Sequence, residues 1–445
     1  MLKETIEKYM LEPFEQYFKL ESSSGVVLFI ATLIALGLSN SDLAEQYHNF
    51  WIQETGIKIN QTFQLQKPLI HWINDGLMAI FFFVIGLEIK RELLVGHLSS
   101  FKKASLPIVA AFGGILAPIL IYIIFNTNPA TEGGWGIPMA TDIAFSLAIL
   151  KLLGRHVPIG LKVFLTTFAI ADDIGAVLVI SLFYSTEIHW DLILISLLIL
   201  TFLLTLGKLG FYSTYIFLPA NCIIWLLFLE SGIHPTLSGI LVAFTIPIQR
   251  RSNFNQFFKK ISESIFELNK SRSASPQVNL PLSKTQVNIV ENLEVLIKNI
   301  RSPLQHLEVK LHSFVAFGIL PLFALANAGV NFSIDSTESF DLAFLISCSL
   351  IIGKCLGITL LCYLAVKLKL AELPKGVNFG QIIGVGVLGG LGFTMSIFIT
   401  NLAFFDPSII NASKMGILIG SLISGILGYS IIRYYIHPKR QSKNS

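Results

Sequence analysis

Apolar residues dominate this chain in runs too long for a strand and too uniform for an amphipathic helix. A helix needs about 20 apolar residues to cross a hydrocarbon core. Runs near that length recur roughly at 23–40, 69–89, 104–125, 134–152, 159–184, 190–207, 210–228, 233–249, 312–332, 341–366, 378–402 and 412–434. The pattern predicts an all-α polytopic membrane protein with twelve transmembrane helices. One long polar stretch interrupts it, at 250–307. There FNQFFKKISESIFELNK places apolar residues at 254, 257, 258, 261, 265 and 268, a helical spacing. NKSRSASPQVNLPLSK reads as a flexible linker, and QVNIVENLEVLIKNI repeats the helical pattern. The expectation is a cytoplasmic helical hairpin or a pair of surface helices. At the start, MLKETIEKYMLEPFEQYFKL predicts an amphipathic helix lying on the membrane surface. Mixed charges at Lys3, Glu4, Glu7 and Lys8, without a small-residue cleavage site, argue against a removable signal peptide. The expected division is therefore a surface helix at 1–22, a transmembrane domain at 23–435 interrupted by the 250–307 insert, and a cytoplasmic tail at 436–445.

Charge placement orients the spans. With the N-terminus inside, the inner loops collect Lys90, Arg91, Lys102 and Lys103, then Lys151, Arg155 and Lys162, then Lys208 and the basic insert, then Lys367, Lys369 and Lys375. The outer loops hold Lys58, Lys67 and Lys414 among acidic residues such as Glu132, Glu230 and Asp341. That asymmetry predicts both termini in the cytoplasm.

Composition agrees with the pattern. Hydrophobic residues make up 53% and charged residues only 13%, against about 25% charged in ordinary soluble domains. A net charge of +4 is too small to point to nucleic acid. The four cysteines, Cys222, Cys348, Cys355 and Cys362, lie in apolar runs without metal-ligand spacing and read as packing residues. No cofactor is expected, and no enzyme motif appears; an ATP-binding Gly-rich Lys-Ser/Thr loop is absent, which argues against a primary pump.

The chemistry lies in the few charges at membrane depth: Asp75, Glu88, Asp142, Asp172, Asp173 and Lys354. Each costs roughly 3 kcal/mol or more at a bilayer centre, so each is a functional candidate. Asp172 and Asp173 are adjacent in FAIADDIGAVLVI. Neighbours on a helix point about 100° apart, so one partner does not easily serve both, and at least one should face a cavity. A carboxyl buried beside another holds its proton more firmly. Its oxygens also suit a small hard cation. Such a site can hold protons or Na+ or Li+ but not both together, and that competition suffices for exchange. Lys354, in LIIGKCLGI, needs an anion, and either aspartate can supply it.

Two spans look broken. GGWGIPMATDIAF (133–145) has Gly and Pro138 just before Thr141 and Asp142, and GQIIGVGVLGGLGFTMSIF (380–398) carries six Gly. An aspartate at such a break can neutralise converging helix N-termini.

These motifs carry a resemblance. ATDIAFSLAIL, AIADDIGAVLVI, GLGFTMSIFI and FFFVIGLEIKREL together resemble the NhaA family of bacterial Na+/H+ antiporters, from about residue 10 to 435 outside the insert. That family is itself one of the known cases of inverted repeats with broken helices. The resemblance implies inverted repeats of helices 3–5 and 10–12, with helices 4 and 11 interrupted and crossing. It implies Asp173 as the main cation ligand and Asp172 as its companion, paired with Lys354 when no cation is bound. Thr141 and Asp142 would sit at the crossing as charge compensators or ligands, and Asp75 near the ion path. The pH response would involve Glu88, Lys90, Arg91, Glu92, Glu308, His312 and, on the outer side, His234. Val309 and Lys310 stand where the family pattern has a second histidine, which leaves the pH set-point open.

The implied function is a secondary, electrogenic, pH-regulated antiporter exporting Na+ or Li+ for protons. It would be multi-pass in the bacterial inner membrane, lipid-embedded and homodimeric. The alternative is a proton-coupled transporter of another cation or a small organic substrate, although no buried arginine offers to bind a carboxylate substrate. A channel is disfavoured because no filter motif is present.

Overall fold

The computed structural model describes residues 23–59, 63–185, 188–249, 254–273, 283–300, 302–332 and 337–436. The expected surface helix at 1–22, the linker at 274–282 and the tail beyond Ile436 lie outside the described residues. The rest is mostly helical. In chain order the helices are α1 (Ser23–Ser39), α2 (Ala44–Ile52), α3 (Leu69–Leu94), α4 (Phe101–Phe125), α5 (Ile143–Leu152), α6 (Ile159–Phe183), α7 (Trp190–Lys208), α8 (Thr214–Ser231) and α9 (Thr236–Thr245). They continue with α10 (Phe254–Ser273), α11 (Lys284–Ile300), α12 (Pro303–Asn327), α13 (Thr337–Lys367), α14 (Phe379–Leu388), α15 (Phe393–Ala403) and α16 (Pro407–Ile436).

Seven of these are unbroken, long and apolar enough to span a membrane. Three further pairs pass the same test but are bent: α1 with α2 by 113°, the 3₁₀ segment Pro129–Met139 with α5 by 49°, and α14 with α15 by 43°. The chain is thus an all-α polytopic membrane protein with one small addition. Between α2 and α3 an antiparallel hairpin pairs Glu54–Ile59 with Phe63–Pro68, from Glu54 opposite Pro68 to Ile59 opposite Phe63. In this register Ile57 pairs with Leu65 and Ile59 with Phe63, and apolar residues at every second position are the alternation a strand needs. This segment was not anticipated from the run pattern.

Helix interruptions follow local chemistry. Pro138 and its neighbouring glycines hold the segment before α5 in a 3₁₀ turn, and Ala140 to Asp142 are extended. Gly389–Gly392 separate α14 from α15. Three spans carry a π-helical turn: Trp72–Leu77 in α3, Val315–Ile319 in α12 and Ser349–Gly353 in α13. Such turns insert one extra residue and occur often at functional sites. At the start of α16, Asp406 accepts bonds from the Ser408 amide and hydroxyl at 2.8 and 2.7 Å. Those donors hold its carboxyl below the usual carboxylate range and cap the helix.

Close packing fixes the element that matters most. Gly113 of α4 and Gly357 of α13 touch so nearly that a Cβ on either would overlap the carbonyl oxygen of the other. Small residues permit this approach of backbones within a membrane, where apolar burial alone drives little association. Two buried apolar clusters meet along α6. Leu161, Leu165 and Phe168 belong to one, and Ile170, Ala176, Val177 and Ile180 to the other.

Candidate functional site: a buried carboxylate pair at two helix breaks

Asp172 and Asp173 lie at that meeting point. Leu161, Leu165, Phe168, Asp172 and Ala176 form one buried stripe of α6, and Ala169, Asp173, Val177 and Ile180 form the adjacent one. Both aspartates therefore face inward, with 1% and 5% of their surface exposed. Their surroundings differ. Lys354, fully buried at the end of the α13 π turn, donates to both Asp172 carboxylate oxygens, at 2.8 and 3.1 Å. Its third hydrogen bond goes to the Thr141 hydroxyl at 2.9 Å. The ammonium has spent its three protons, and the Phe168 ring lies 6.0 Å from it. The Asp173 carboxylate makes no hydrogen bond to any described residue. It lies within electrostatic reach of Asp172, Glu88, Asp142 and Lys354.

The two breaks are stitched together beside this pair. The Thr141 hydroxyl donates to the Gly389 carbonyl at 2.9 Å, and the Asp142 amide donates to the Leu391 carbonyl at 2.5 Å. The Asp142 carboxylate accepts from the Phe145 amide at 3.2 Å, at the start of α5. It also accepts from the Thr394 amide at 3.2 Å and the Thr394 hydroxyl at 2.6 Å, at the start of α15. One carboxylate thus caps two helix N-termini and balances the positive ends of both. Ser146 and Ser396 add bonds to the Leu388 and Ile137 carbonyls, at 3.3 and 2.8 Å.

The remaining sequence candidates form two further groups. Arg91 Nη1 meets Glu92 at 2.9 Å, its Nε meets Glu308 at 2.9 Å, and its Nη2 lies 3.9 Å from Glu88. His312 lies one turn from Glu308 on α12 and interacts with it electrostatically. Lys90 points elsewhere and caps the end of α9, donating to the Phe244 and Ile246 carbonyls at 2.6 and 2.5 Å. His234 does not join the Arg91 cluster. Its Nε2 lies 3.8 Å from the Asp75 carboxylate, which His71 approaches to 3.9 Å from the other side. The Asp75 carbonyl accepts from the Trp225 indole at 3.0 Å.

Reading the sequence missed Thr394, whose only signal was its place after GLG in the second break. It also missed three asparagines, Asn74, Asn327 and Asn401, which are hydrogen-bonded to one another. Neutral amides carry no charge to mark them at membrane depth.

Comparison with known proteins gives one answer. The profile of the family described as Na+/H+ antiporter 1 matches residues 15–432. A Na(+)/H(+) antiporter NhaA of Oleidesulfovibrio alaskensis is 42% identical over 443 residues, 98% of this chain and 96% of its own. One from Acidithiobacillus ferrooxidans is 45% identical, covering 94% of this chain and 96% of its own, and one from Bacteroides fragilis is 41% identical, covering 97% and 100%. A buried acid pair with one tied lysine, set against two stitched helix breaks, thus occurs in a chain that belongs to the Na+/H+ antiporter 1 family.

Proposed function

We propose that this chain is a secondary antiporter of the bacterial inner membrane, exporting Na+ or Li+ in exchange for protons at Asp172 and Asp173. The observation that carries the reading is the inequality of the two carboxylates. Lys354 holds Asp172 with all its protons committed, whereas Asp173 faces three other carboxyls without a hydrogen bond from any described residue. Carboxyls gathered around one ammonium in a dry site need neutralising by protons or by a cation. Carboxylate oxygens suit a small hard ion. Entry of the cation at Asp173 draws Asp172 from Lys354, and return of protons restores the pair. With both carboxyls taking part, more than one proton returns per cation, so the membrane potential drives the exchange.

The architecture that goes with this reading has twelve spans, counting the unbroken helices, the bent pairs and the shorter apolar helices α8 and α9 together. Helices 3–5 and 10–12 form inverted repeats, with the broken fourth and eleventh crossing at the site. The termini and the 250–307 insert are cytoplasmic, and the outer hairpin with Lys58 and Lys67 serves a homodimer contact. The Arg91, Glu88, Glu92, Glu308 and His312 cluster sets the pH response, since histidine titrates in the working range.

Inside-out vesicles with an imposed proton gradient test the exchange. Added Na+ is expected to collapse the gradient with the wild-type protein and to leave it standing with Asp173→Asn. Collapse by K+ or an organic cation as large as that by Na+ removes the selectivity claim. In the same assay His312→Ala should displace the activity profile along the pH axis, and an unmoved profile rules out that histidine as a sensor.

A further inference from the structure

Three elements near the acid pair each carry a phenylalanine and an asparagine one or two turns apart. On α15, Thr394, Phe398 and Asn401 follow one another at i, i+4 and i+7, so they share a face. Thr394 binds Asp142 at the breaks. Phe398 is therefore one turn away from the site, and Asn401 one turn further. On α12, Phe323 is followed four residues later by Asn327, and on α3 Asn74 precedes Phe82 by two turns. The rings meet in one layer. Phe82 and Phe323 lie 5.5 and 6.5 Å from Phe398 between centroids, and all three are buried. The amides meet in a second layer. Asn327 Oδ1 accepts from Asn401 Nδ2 at 2.7 Å and from Asn74 Nδ2 at 3.3 Å. Its Nδ2 donates to Asn74 Oδ1 at 2.8 Å and to the Phe323 carbonyl at 3.0 Å. Both lone pairs and both protons of the fully buried Asn327 carboxamide are used.

The two layers differ in kind. Packed rings offer an ion no substitute for its water and make a barrier. Neutral amide bonds are directional and can be exchanged for bonds to water. Beside Phe82 lies a small gap of about 10 Å³ whose lining includes Val177, Ser181, His234 and Thr236. Asn74 itself sits in the π turn Trp72–Leu77, where a helix already carries one residue more than its regular winding. Asn74, and with it the amide layer, lies toward the end of α3 opposite to Arg91.

We propose that Asn327 is a positioning residue of the exchange cycle, a latch that joins Asn74 to Asn401 and holds the Phe82–Phe398–Phe323 layer shut across the far end of the ion path. The latch parts when the site opens to that end. This rests on the exchange reading above and adds the barrier that reading needs on one side. It assigns no ion contact to the asparagines.

Cysteines at Asn74 and Asn401, in a protein whose four native cysteines are alanine, can be bridged by a short bifunctional thiol reagent in proteoliposomes. Bridging is expected to cut Na+-driven proton movement at least tenfold, and reductant to restore it. An equal rate before and after bridging overturns the latch. Proton movement before bridging tests the exchange reading by itself. The single variant Asn401→Cys gives a measurement that needs no transport. Its reaction with a membrane-impermeant thiol reagent from the far side should change severalfold between Na+-loaded and proton-loaded protein. A rate equal in both conditions overturns the proposal whatever the flux assay gives.

Discussion

Neighbouring aspartates on α6 should separate stability from activity. Lys354→Ala would leave the Asp172 carboxylate buried with its two charge-assisted bonds removed. Breaking one side of a buried pair costs about 3–5 kcal/mol. The variant should therefore melt well below the wild type in detergent, and Lys354→Ala with Asp172→Asn should regain part of the loss, because an amide tolerates the site without a counter-ion. Asp173→Asn should melt near the wild type, since Asp173 bonds to no described residue, while losing exchange. A double variant no more stable than Lys354→Ala would show that the ion pair is not what the lysine contributes. At this scale the costly charges were legible because charge at membrane depth is rare. The division of labour between them was not, because sequence neighbours diverge by about 100° and the packing of α6 and α13 on α4 sets which one meets the lysine.

The lysine in turn depends on how closely two helices approach. Gly357 lies one turn beyond Lys354, and its contact with Gly113 leaves no room for a side chain on either helix. Gly113→Ala should force α4 and α13 apart, at about 1–3 kcal/mol for overpacking, and shift Lys354 from Asp172, so that melting temperature and exchange fall together. Gly37 on α1 has open space around its Cβ position, and Gly37→Ala should be neutral or slightly stabilising. Equal melting temperatures for the two variants would show that the α4–α13 approach is not fixed by these glycines. The two helix breaks were legible, as Pro138 with clustered glycine and as six glycines in one span. The π turns before Lys354, around Asn74 and after His312 were not, because no residue type marks an extra residue that tertiary packing pulls into a helix. The asparagine layer was equally silent, since Asn74 and Asn327 stand 253 positions apart.

For the molecule as a whole, the all-α polytopic class was legible in the run pattern because a bilayer imposes span length directly, whereas the stitching of the two breaks joins residues about Asp142 to residues about Leu391 and emerges only on folding. Among the described residues the main packing of the insert is internal. Its helices α10 and α11 pack on one another, and the chain segments from which they leave are already joined. The Leu304 amide donates to the Pro247 carbonyl at 3.4 Å, and Leu304, Ile246 and Ser302 are buried at that root. Closing a short loop there adds little chain entropy. Replacing 254–300 by a short Gly-Ser link should therefore leave the melting midpoint within a few degrees and exchange intact. The pH profile is the sensitive readout, because Lys90 clamps the Phe244 and Ile246 carbonyls at the same root while its neighbour Arg91 holds Glu92 and Glu308. A displaced profile with unchanged maximal exchange would make the insert a lever on the Arg91 cluster. Loss of folding on deletion would show that the root does not close without it.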